Sequence, residues 1–128
     1  MTAGAALAAE LTTCLLRIGE LSGVHELAPI QAAPPYATLE TGPEIDWSHK
    51  TGTGRELRVA IVVRDKGERP DRIQRLIGHV QAEIEQVGPD VGVWRLATFV
   101  FLRSRTIREV GGWAATIEYR ARLLAALS

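Results

Sequence analysis

The residues best suited to acid–base, nucleophilic or metal chemistry in these 128 residues are three histidines, His25, His49 and His79, and one cysteine, Cys14. A hydrolase or transferase needs a nucleophile beside a base, clustered carboxylates, or metal ligands at workable spacing. The sequence offers none of these. The histidines are scattered, and only His79 and Glu83, four residues apart, could hold a metal from one helix. That spacing more often marks a solvated helical pair, which is the preferred reading. Cys14 falls on an apolar helical face and reads as core, and a lone cysteine builds neither an internal disulfide nor a cysteine-based zinc site.

Phosphate and polyanion chemistry fare no better. TGTGR, Thr51 to Arg55, has the glycines of a phosphate loop but leads into a strand, so no helix N-terminus is presented to an anion. Arg103, Arg105 and Arg108 in RSRTIRE form the best basic cluster, two of them on one strand face. With 15 basic and 15 acidic residues the net charge is zero, and no stacking aromatics interleave the arginines. Pairing of this cluster with Glu118 across strands, or with another chain, is expected instead of nucleic-acid binding. No catalytic residue, metal or cofactor is expected.

The elements that must position these side chains centre on RELRVAIVVR, Arg55 to Arg64. Leu57, Val59, Ile61 and Val63 share one face at period two, and Ala60 and Val62 keep the other apolar, so both faces of the strand's middle call for cover. Before it, Leu7, Leu11, Cys14, Ile18 and Leu21 form the stripe of a helix from about Ala3 to Leu21, after which Val24 and Leu27 tuck in. This N-terminal region has no basic start and carries Glu10 and Arg17, so an exported or membrane-spanning segment is not expected. A Pro-containing connector, Ala28 to Pro35, leads to a short strand at Tyr36 to Glu40.

The thirteen residues Gly42 to Gly54, GPEIDWSHKTGTG, then form a protruding loop, or a hairpin turning near Lys50 to Gly52. Trp47, with His49 and Lys50 beside it, reads as a contact anchor on this arm, the alternative being that the indole folds back onto the domain. A helix from Pro70 to Val87 follows, with Ile73, Leu76, Ile77, Val80, Ile84 and Val87 on one face. Gly78 and Ala82 lie off that stripe, one turn apart, making a small flat outer face that could admit a neighbouring subunit. In the strand from Val91 to Arg108, Trp94, Leu96, Val100 and Leu102 alternate with Phe99, Phe101 and Arg103; Trp113, Ala115, Ile117, Tyr119 and Ala121 line the last strand, and Leu123, Leu124 and Leu127 close the chain. The expected fold is a single α+β domain over 1–128, helix-strand-strand-helix-strand-strand, with a mostly antiparallel sheet and two helices on one face. An apolar second face would need a partner, commonly another copy of the same chain.

The order of these pieces resembles the tail-completion, or tail-terminator, proteins of tailed phages and gene transfer agents. The matching residues are the N-terminal leucine helix, PPYATLE at Pro34 to Glu40, GRELRVAIVVRDKG at Gly54 to Gly67, the helix IQRLIGHVQAEI, and the closing hairpin Arg103 to Leu123. The resemblance implies a virion protein assembled as a hexameric ring. It would cap the tail tube, end polymerisation and offer the head-joining surface, with itself, the major tail-tube protein and a head-closure or connector protein as partners, and neither a membrane nor a specific nucleic-acid sequence among them. It would stand at the head-proximal end of the tail and assemble in the host cytoplasm. Two other readings stay open: a head-closure or connector protein of the same particle, and a small cytoplasmic ligand-binding domain. Trp47, His49, Lys50, Gly78, Ala82, Arg103, Arg105 and Arg108 are the candidate contact residues.

Overall fold

The computed structural model describes residues 1–27, 29 and 31–126, so Leu127 and two connector positions, Ala28 and Ile30, lie outside the described residues. Thr2 opens the first helix, α1 (Ala3–Leu15), by accepting the Ala5 amide on its hydroxyl at 3.1 Å. The rest of the chain runs β1 (Val24–His25), β2 (Tyr36–Thr41), β3 (Ile45–Asp46), β4 (Gly54–Lys66), α2 (Asp71–Ile84), β5 (Asp90–Val91), β6 (Trp94–Glu109) and β7 (Gly112–Ala125). These strands form one sheet in the order β1-β2-β4-β7-β6-β5, with β3 pairing β4 beyond the end of β2. Among the described residues only the β1–β2 pair is parallel. The molecule is a single α+β domain with two helices and a mostly antiparallel, curled sheet.

The long strand read first from the sequence sits at the sheet's centre, between β2 and β7. Leu57, Val59, Ile61 and Val63 are at most 1% exposed, and β7 sets Ala115, Ile117, Tyr119, Ala121 and Leu123 beside them. The fully buried Leu7, Leu11 and Leu15 of α1 and Ile73, Leu76, Val80 and Ile84 of α2 join the same core. Each such side chain contributes about 1.5–3 kcal/mol by leaving water.

An ion pair ties the end of β4 to the first turn of α2. Arg72 donates Nε to Asp65 Oδ2 at 2.8 Å and Nη2 to Oδ1 at 2.5 Å, and the Lys66 amide adds a third bond at 2.8 Å. The Arg72 guanidinium, with the amide and the positive charge of Lys66, holds the Asp65 carboxyl below the usual carboxylate range although burial opposes it. No helix among the described residues is long and apolar enough to cross a membrane.

Four expectations change. First, α1 ends at Leu15, not Leu21. Arg17 and Ile18 bond back three residues instead of four, tightening the last turn, although Ile18 and Leu21 still pack on the core. Second, Leu27 does not tuck in, being 83% exposed. Third, β6 does not alternate cleanly, because bulges between Leu96 and Thr98 and between Phe101 and Arg103 each insert an extra residue. Phe99 and Phe101 therefore turn to the Tyr119 side, where Phe99 stacks on its ring at 4.5 Å, and Val100 turns away.

The fourth change concerns the second face of the sheet. Ala60 lies between Glu40 and Glu118, and Val62 between Thr38 and Thr116, so the cross-strand neighbours of the two apolar residues are polar. The face expected to be apolar is a polar one with small apolar islands.

Candidate assembly surfaces

Residues of β4, β7 and β6 that alternate with the core build this face. Glu56, Arg58 and Arg64 come from β4, Glu118, Arg120 and Arg122 from β7, and Arg103 and Arg105 from β6. Several are paired: Arg122 Nε donates to Glu56 Oε1 at 2.7 Å, Arg103 forks onto Glu118, and Arg64 lies 3.6 Å from Glu109. The Arg103 guanidinium holds the Glu118 carboxyl below its usual range. Three arginines of this face, Arg58, Arg105 and Arg120, are in no ion pair among the described residues. Arg58 and Arg120 are direct cross-strand partners, a like-charge pair, and neither has a carboxylate within 4.0 Å among the described residues. Arg120 Nε is also buried without a hydrogen-bond partner.

The Gly42–Gly54 segment is a hairpin limb. Ile45 and Asp46 pair with Glu56 and Arg55, the Trp47 amide donates to the Gly54 carbonyl at 2.9 Å, and a bridge between His49 and Gly52 closes the turn around Lys50. Ser48 fastens it internally, donating its hydroxyl to Asp46 Oδ1 at 2.6 Å and accepting the Gly54 amide at 3.1 Å. Trp47 is half-buried, with His49 edge-on at 4.6 Å and the Arg122 guanidinium over its ring at 5.3 Å. The limb thereby brings Trp47 and His49 to the arginine-rich face, while Lys50 stays exposed at the turn.

The other candidate residues divide. Arg103 and Arg105 share that face, but Arg108, three residues on from Arg105 and so on the opposite face, lies over Trp113 at 5.0 Å and donates to the Glu68 carbonyl at 3.2 Å. Gly78 and Ala82 are exposed on α2, apart from the sheet face, and an added Cβ at Gly78 would meet nothing within 4 Å. His79 lies by Ala82 in a groove with Arg17 and Glu20, and no group of three metal-binding side chains occurs among the described residues.

Residue-by-residue reading missed two features. Gly54 is required because a Cβ there would overlap the Trp47 carbonyl, a close backbone approach for which a glycine inside a strand is the usual signal. The edge beside β2 gathers Glu26, Glu40 and Glu44 around one groove, together with Leu27 and the start of α1. Glu40's alternation in YATLE was the available cue.

The family model described as "Tail completion protein gp17" matches residues 4–124. The chain belongs to that family. This tail completion protein is thus a structural component of phage-type particles and not an enzyme. Its fold is also that of a chain in the structure titled "Virion of native gene transfer agent (GTA) particle", at 20% identity, with a TM-score of 0.63, covering 96% of this chain and 95% of that one. No curated protein matches the tail completion protein in sequence.

Proposed function

We propose that this protein ends tail assembly. Copies join as a ring, a hexamer, that seats on the finished tail tube at the head-proximal end, blocks addition of further tube subunits, and presents its far side to a head-closure or connector protein. Assembly takes place in the host cytoplasm. The carrying observation is the family match from residue 4 to residue 124, which includes every element that could make a contact. The particle context of the structurally similar chain supports the same reading.

The work is done by shape and charge, without turnover. The hairpin limb with Trp47, His49 and Lys50 is an arm for the tube or a neighbouring subunit. Arg103, Arg105 and Arg108 on β6, and the small outer face at Gly78 and Ala82, are the other contacts. Mixed charges on such surfaces set register and suppress wrong partners more than they add affinity. Electron microscopy of purified protein mixed with tail tubes tests the reading. Rings seated on tube ends are expected, and a monomer that never associates with tubes would sink it.

A further inference from the structure

The two long edges of the sheet differ in a way that suits them to each other. β6 is sixteen residues long, and β5 covers only Trp94 and Arg95, so the outward backbone groups from Thr98 to Glu109 lack a partner strand among the described residues. An edge of this length is a template for pairing unless it is blunted. The bulges blunt its first half; the stretch from Arg103 to Glu109 is regular, and Ile107 on it is 40% exposed. Arg105 is exposed there, with no carboxylate in reach. At the opposite edge, β1 pairs only with Ala37 and Thr38 of β2, so Leu39 to Thr41 have no partner strand on that side among the described residues and face a groove instead. That edge is acidic, with Glu26 and Glu40 exposed and neither in an ion pair among the described residues.

We infer that the β6 edge of one copy joins the β1–β2 edge of the next, so that the sheet continues from subunit to subunit around the ring. This rests on the ring reading above. Strand direction permits it. Each step from β2 through β4 and β7 to β6 is antiparallel, so β6 runs opposite to β2 and would meet a neighbour's β2 antiparallel, as in the rest of the sheet. Register permits it as well. Glu40 is level with Ala60, Glu118 and Arg103 across one copy, so an unstaggered junction sets the neighbour's Glu40 beside Arg103 and Arg105. Glu40 and Arg105 alternate onto the same sheet face. The two joined surfaces are different patches, which makes the contact heterologous and able to close a ring.

Charge reversal provides the test. Arg105→Glu alone and Glu40→Arg alone should each lose the ring, read by light scattering and by microscopy on tail tubes. The double variant should recover it. So should an equal mixture of the two single variants, since alternating copies place every reversed edge against its complement in a ring of even number. Recovery by mixing also shows that each single variant folds. Single variants that assemble like wild type overturn the edge pairing while leaving the tail-capping function standing. Loss in the single variants without recovery in the mixture overturns it too, because both edges would then matter without facing each other. Wild-type protein that never seats on tubes defeats the functional reading itself, a result distinguishable from the other two.

Discussion

Asp65 shows how one buried carboxylate governs a junction. It is 7% exposed, whereas the Arg72 side chain is 42% exposed, so solvent screens part of the attraction. Asp65→Asn removes a doubly hydrogen-bonded charge and is expected to cost about 2 kcal/mol at neutral pH. The folded-state carboxyl titrates below its unfolded value, so the stabilisation is fully present above about pH 4 and is lost as pH falls through the folded value. Denaturant unfolding of wild type and variant at pH 7 and pH 3 should therefore show a gap that narrows in acid. Gly54→Ala is a different case, because its Cβ would overlap the backbone oxygen of Trp47. The limb must shift, and faster amide exchange at Trp47 and Gly54 is the expected readout. Neither position was legible as such. In the sequence Asp65 is one charge in a run of mixed sign, RDKGERPDR, and Gly54 part of a glycine-rich loop, because both roles depend on backbone brought close by folding.

Among elements, legibility followed the length and regularity of the pattern. α2 was plain because its stripe of Ile73, Leu76, Val80 and Ile84 persists over about three turns, and β4 because its alternation is unbroken. The two-residue strands β1, β3 and β5 are too short to carry a period, and each bulge in β6 reverses the faces that follow it. The candidate site was legible as separate pieces. Trp47 and Arg103 were named from type and position, but Arg122 over the indole became visible only when β7 was laid beside β4. Trp47→Ala should cost only about 0.5–1 kcal/mol of folding stability for the lost cation–π contact, yet weaken attachment to tube ends. Global unfolding of that variant, seen by circular dichroism, would place the indole in the core instead. On α2, Gly78→Ala has open space around it and should raise stability by roughly 0.5–1 kcal/mol in thermal melts. If that variant also assembles less well, a neighbour packs there closely.

At the scale of the molecule, β4, β7 and β6 are unusually long for a domain of this size. A strand of thirteen residues spans about 43 Å, whereas a compact 128-residue chain has a radius of gyration of only about 14 Å. The three strands therefore run the length of the protein, and helices, limb and edges all hang on them. On the proposed function, the protein would stand between a tube and whatever is fastened to it, and such a place would carry load. The direction of that load matters. β4 and β7 are paired without interruption from Gly54 with Leu124 to Lys66 with Gly112, and their hydrogen bonds lie across the strand axis. Tension along the axis loads all of those bonds together in shear, while tension across it opens them one at a time like a zip. Handles at Gly54 and Gly112, at opposite ends of the ladder, should therefore need a markedly larger rupture force in single-molecule pulling than handles at Gly54 and Leu124. Similar forces in both geometries would mean that the ladder is not what resists. If the axial geometry is the stronger, the central strands act as the joint's tie-rod, stiff along the strand direction and yielding across it.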